Sequence, residues 1–96
     1  MKYMLLAEND VQKAFSEHLR KLRQHAKLSR LELAERSTVP AATIKKFELT
    51  GQISFRQLLL LWQTLDDLKR LYGLTQQQAQ SLTAPQSIEE VLKDGF

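Results

Sequence analysis

The segment Leu28–Gly51, LSRLELAERSTVPAATIKKFELTG, constrains the fold most, because it packs start and stop signals for two short helices into one continuous stretch. Ser29 is followed three residues on by Glu32, the pattern of a capping box, in which each residue's side chain meets the other's backbone N–H. Leu33 and Ala34 then point inward. The run Ser37-Thr38-Val39-Pro40 interrupts the helix without a glycine. Pro40 suits the start of a second helix, where its missing N–H is no loss. In that helix Ile44 and Phe47 face a core, Ala41, Ala42, Lys45 and Lys46 are free to face outward, and Gly51 ends the element. Two short helices joined this tightly make a helix–turn–helix, with the second helix displayed on one side.

The flanking sequence is helical too. Val11, Phe15, Leu19, Leu22 and Ala26 recur at helical spacing, with Asp10 as the expected N-cap and Arg20, Lys21 and Lys27 off the apolar stripe. Ser54 and Gln57 repeat the capping-box pattern before Phe55–Leu65, FRQLLLLWQTL, which is apolar nearly all round. Phe55, Leu58, Leu61 and Leu65 are assigned to the domain's own core, whereas Leu59, Leu60 and Trp62 exceed what one small domain covers. A short helix, Asp67–Tyr72, carries Leu68, Leu71 and Tyr72. No stretch alternates as a strand does, so the expected class is all-α with five helices. Residues 75–86 are polar and Gln-rich with Pro85, and read as a linker or a frayed segment. Ser87 and Glu90 then form a third capping-box pattern beside Ile88, Val91, Leu92 and Phe96. So short a helix must dock somewhere, either back on Leu60 and Trp62 or on a partner. Tyr3, Met4, Leu5 and Leu6 pose the same choice. The expected organisation is a domain over 1–74, including an N-terminal extension of about nine residues, and a linker with a short C-terminal segment over 75–96.

Ninety-six residues suggest one domain with a thin stability margin, which a second subunit can augment. The absence of cysteine rules out a disulfide framework and a thiolate metal site, and fits a reducing, cytoplasmic setting. The start, MKYMLLAEND, lacks the long apolar run of a signal peptide, and no stretch approaches bilayer-spanning length, so no membrane role is expected. The net charge of +3 conceals an asymmetry: residues 13–46 carry nine Lys or Arg against three acids, whereas residues 47–96 carry four bases against six acids. A basic half that coincides with a helix pair points to a polyanion; the alternative is a solvated basic face.

Catalytic chemistry has no plausible residue set. His18 and His25 lie two helical turns apart, too far for one metal ion, and no carboxylate or cysteine completes a site. They are expected to be solvated or to neighbour phosphate. The pairs Asp66-Asp67 and Glu89-Glu90 are adjacent, so their carboxylates face different ways and read as helix-start charges. Gly-rich phosphate loops, Ser-His-Asp sets and Cys-His sets are absent, and neither an enzyme nor a cofactor is expected.

Leu22-Arg23, Leu28-Ser29 through Leu33-Ala34, Val39, Ile44, Phe47-Glu48, Gly51, Ser54, Leu58 and Leu65 together resemble the Cro/C1 (XRE) helix-turn-helix family, over roughly Phe15–Leu71. That resemblance implies a five-helix, lambda-repressor-like domain, here with a short C-terminal extension, that binds double-stranded DNA. It implies a structural ion pair between Arg23 and Glu48, a recognition helix over Pro40–Lys46, and base reading by Ala41, Ala42, Thr43, Lys45 and Lys46. Phosphates are expected at Arg20, Lys21, Lys27, Arg30 and the backbone near Gly51. Three positions depart from the pattern: Thr38 replaces the turn glycine, Pro40 replaces a Ser or Thr cap, and Ala41 and Ala42 replace longer polar readers. Alanine can touch a thymine methyl but makes no hydrogen bond to a base edge.

Small members of the family are often homodimers on palindromic operators, and Leu59, Leu60 and Trp62 are the expected interface; the alternative is that they belong to the domain core or lie under the C-terminal segment. LLLLWQTLDDLKRL also resembles HipB-type regulators of toxin–antitoxin operons, which implies an antitoxin that represses its own operon and binds a toxin, a HipA-like kinase. The sequence therefore points to a dimeric DNA-binding repressor. The alternative is a protein-interaction module whose tail captures a toxin, with DNA binding secondary.

Overall fold

A computed structural model describes residues 5–81, with side chains through residue 76. Five helices, α1 (Glu8–His25), α2 (Arg30–Ser37), α3 (Ala41–Thr50), α4 (Phe55–Leu65) and α5 (Leu68–Ser81), account for the architecture, and no strand occurs among the described residues. The fold is all-α. Helices α1 and α2 each pack on both α3 and α4, while α5 packs on α4. Leu19, Leu28, Leu33, Val39, Ile44, Phe47, Leu61 and Trp62 form the core. Burying each such side chain stabilises the fold by about 1.5–3 kcal/mol before entropy is counted. None of these helices is long and apolar enough to cross a membrane.

Helix boundaries follow local chemistry. At α2 the capping box is complete: the Ser29 hydroxyl accepts the Glu32 N–H at 3.0 Å, and the Glu32 carboxylate accepts the Ser29 N–H at 2.8 Å. At α1 the expected cap, Asp10, lies inside the helix instead. Ala7 occupies the N-cap, and Asp10 accepts its N–H at 2.9 Å, so only half a box forms because alanine has no oxygen to return. At α4 the Ser54 hydroxyl accepts the Gln57 N–H at 3.2 Å. Between α2 and α3 the chain turns at Thr38, with φ +66°, and the buried Ser37 hydroxyl accepts the Val39 N–H at 3.1 Å. Pro40 caps α3, and Gly51 ends it with φ +82°, its N–H bonded to the Phe47 carbonyl at 2.7 Å.

Four expectations change. Trp62 is a core residue, only 5% exposed. Its indole N–H donates to the Asp67 carbonyl at 2.9 Å, and its ring centroid lies 5.5 Å from Phe15 and 5.1 Å from His18. It is therefore withdrawn from any surface interface, while Leu59 and Leu60 are half-buried. Phe55 moves the other way: sited in the first turn of α4, beyond the reach of the core, it is 73% exposed. Val11 and Ala26, at the two ends of the α1 stripe, are exposed for the same reason. Finally, α5 runs through residues 75–81, so the expected boundary at residue 74 falls inside a helix. The polar Gln-rich run contains no proline before Pro85 and does not break it. The C-terminal segment Ser87–Phe96, Tyr3 and Met4 lie outside the described residues.

Of the three left-handed positions among the described residues, Thr38 and Gly51 call for opposite substitutions. A β-branched residue at positive φ is strained, so Thr38→Gly should stabilise the fold by about 1 kcal/mol. Thermal melts should show a rise of roughly 4–8 °C. Gly51→Ala should lower the melting temperature, because an added Cβ meets the Gln12 backbone carbon and Cβ at 3.2 Å in a conformation that disfavours side chains.

Candidate nucleic-acid interface

The outward helix is mounted by a part-buried ion triad. Arg23, on α1, donates from Nε to Glu48 Oε2 at 2.7 Å and from Nη2 to Oε1 at 3.0 Å. Its Nη1 donates to the Leu28 carbonyl at 2.8 Å, which also ties down the turn before α2. Arg30, the first residue of α2, donates from Nε to Glu48 Oε1 at 2.9 Å. Burial pushes the Glu48 carboxyl up, but the hydrogen bonds and charges of Arg23 and Arg30 outweigh it and hold the group below the ordinary 4.5. The expected Arg23–Glu48 pairing is present. Arg30, expected at phosphate, has its Nε committed to Glu48, and its position at the start of α2 gave no sign of that second partner.

Helix α3 thus has one face locked and one face open. Ile44 and Phe47 are each 1% exposed, whereas Ala42, Lys45 and Lys46 are exposed and Ala41 and Thr43 half-buried. Ala42, Thr43 and Lys46 line a groove of about 470 Å³ together with Gln52, Ile53, Ser54 and Gln57. The far wall is the amino end of α4, where backbone N–H groups and the helix dipole favour an anion. Gln52 and Gln57 are functional candidates that sequence reading passed over. Gln57 was legible only as a capping residue, and nothing in the pattern placed Gln52 opposite Lys46.

The other expected phosphate contacts divide. Arg20, Lys21 and Lys27 are exposed. Lys21 and Lys27 line a different concavity, with Gln24 and His25, at the carboxyl end of α1, and share no wall with the α3 groove. Lys27 itself takes a left-handed backbone, φ +58°, to make the turn into α2. Gly51 is removed from the set: it is buried, and its N–H is spent on the Phe47 carbonyl. The next N–H, of Gln52, is bonded to the Thr50 hydroxyl at 3.1 Å.

His18 is half-buried, its side chain 37% exposed, and it does not line this groove. Its Nε2 lies 2.9 Å from Asp66 Oδ2, which also accepts from Arg70 Nη1 at 2.7 Å. The His18 hydrogen bond, opposed by burial and helped by the Asp67 N–H and Arg70, holds the Asp66 carboxyl below its ordinary value. Asp66 thus latches α1 to the α4–α5 turn while also accepting the Asp67 N–H at the head of α5, at 2.6 Å. No group of three or more potential metal ligands occurs among the described residues.

Compared with family models, curated proteins and solved structures, the chain matches none.

Glu48 sets an acid limit on stability. Its folded-state pKa is depressed, so its contribution is complete above about pH 4.5 and is lost as the pH falls through the lower folded value. Asp66 and Glu32 are depressed too and share that sign. Urea unfolding of Glu48→Gln between pH 7 and pH 3 should show a shallower acid loss than the parent. Glu48→Ala, which leaves two arginines without their carboxylate, should cost about 3–5 kcal/mol at pH 7.

Proposed function

We propose that this chain is a sequence-specific, double-stranded-DNA-binding repressor that acts as a homodimer in the cytoplasm and autoregulates a toxin–antitoxin operon. The observation that carries the reading is the two-faced α3: one side is clamped by Ile44, Phe47 and Glu48, and the other presents Ala42, Lys45 and Lys46 to solvent. A helix held that rigidly enters a major groove without losing much conformational freedom. Lys46 and Thr43 reach base edges, Ala42 meets thymine methyls, and Lys45 meets the backbone or a guanine. The anion-favouring start of α4 takes the phosphate that flanks the groove. Because Ala41 and Ala42 carry no hydrogen-bonding groups, DNA shape supplies part of the specificity. Binding, with no cofactor and no catalysis, is the whole of the proposed activity.

A second reading is favoured by that same shortage of polar readers on α3: a protein-interaction module, an antitoxin that binds a HipA-like kinase, with DNA secondary. Gel shifts on the chain's own upstream DNA separate the two. Under the first reading a discrete complex forms at low salt and competes poorly with random DNA. A folded protein that fails to bind there leaves the second.

Lys46→Ala should weaken binding to the upstream site more than to random DNA; equal losses would make Lys46 a backbone contact only. Lys45→Ala, if that lysine neutralises one phosphate, should make the slope of log K against log salt shallower by about 0.9. Fluorescence anisotropy across a salt series reads both effects.

A further inference from the structure

A second groove lies on the other side of the α3–α4 link. It encloses about 310 Å³ between the start of α1 and the start of α4, and Val11, Phe15, Ile53, Phe55 and Leu58 supply most of its lining. Its floor is stiff. Gly51 approaches Gln12 so closely that a Cβ added there would lie 3.2 Å from the Gln12 backbone carbon and Cβ. Its rim is unusually apolar for an exposed surface, with Phe55 73% and Val11 41% open to solvent.

We propose that a second copy of this chain covers this groove, so that the homodimer forms through Val11, Phe55 and Leu58 rather than through Trp62. The charges around the groove favour a twin over an unrelated partner. Glu8 lies on the groove side of α1, one helical turn before Gln12, and Arg56 lies beside Phe55 at the start of α4. Both are exposed, and neither forms an ion pair among the described residues. A two-fold contact is isologous, so a patch with an acid on one rim and a base on the other complements itself: Glu8 of each copy meets Arg56 of its twin. Leu59, one turn beyond Phe55 on α4 and half-buried, lies beside the same face.

This interface rests on the dimeric reading above and gives it a geometry. Ile53 lines both this groove and the α3 groove, so the seam between copies runs alongside the DNA-facing surface. The two α3 helices, one on either side of the dyad, then face the same end of it, as a spacing of about 34 Å between half-sites requires.

The test is analytical ultracentrifugation of the full chain without DNA, over a concentration series. The parent should sediment as a dimer. Phe55→Glu and, independently, Val11→Lys should weaken self-association at least about tenfold. Helical circular dichroism should be retained, since both side chains are largely solvent-facing in the monomer. Glu8→Arg and Arg56→Glu should each weaken the dimer, and the double variant should recover it. A parent that stays monomeric throughout the series overturns the proposal, as does a dimer indifferent to Phe55→Glu and Val11→Lys, or a double charge swap without recovery. DNA binding is read separately, from Val11→Lys, which lies outside the α3 groove, on a single half-site. Loss of the dimer with half-site binding retained supports the interface, whereas an intact dimer that ignores DNA leaves the interface standing and ends the repressor reading.

Discussion

The arrangement of the first three helices depends on a single carboxylate. The Glu48 side chain is 3% exposed, and an isolated charge at that depth would be strongly unfavourable. It is tolerated because Arg23 meets it with two hydrogen bonds and Arg30 adds a third from a different helix. The geometry is directional. A planar guanidinium that grips both carboxylate oxygens fixes orientation as well as distance. Arg23 also holds the Leu28 carbonyl, so the same side chain sets the angle at which α1 passes into α2. The orientation of α3 is therefore inherited from α1 and α2 through polar contacts, while Leu33, Val39, Ile44 and Phe47 fill the space between them.

That mounting makes the outer face of α3 a platform. The links on either side of it each begin with a left-handed residue, Thr38 before and Gly51 after, so the helix is confined between two sharp corners. The groove beside Lys46 and the groove beside Phe55 are separated by the short Gly51–Ser54 connection. In the proposed assembly one is the contact with DNA and the other the contact with a twin. Their closeness makes any shift of α4 act on both at once.

How far the sequence could be read depended on whether a signal was local. The Ser29–Glu32 box, Pro40 at the head of α3 and Gly51 at its end are short-range chemistry, and each sits where its pattern placed it. The inward positions Leu33, Ile44 and Phe47 follow from helical spacing. What the pattern missed was set by distant partners. Arg30 turned to Glu48, His18 found Asp66, and Trp62 was drawn inward by Phe15 and the Asp67 carbonyl. An all-round apolar helix such as α4 does not announce which side will be covered, and Phe55 and Trp62 exchanged the roles assigned to them. The polar run after Tyr72 carried no stop residue, so composition suggested a linker where α5 continues.

Trp62 is the chain's only tryptophan, and it sits where α1, α4 and α5 meet. Its indole is bonded to the turn that leads into α5, stacked near His18, and spanned by the Arg70 guanidinium at 5.8 Å. Detachment of the last helix cannot leave that environment intact. The molecule thus carries a built-in optical probe: the colour and intensity of its ultraviolet emission report whether α5 is seated, separately from the far larger dichroism signal of the helices as a whole.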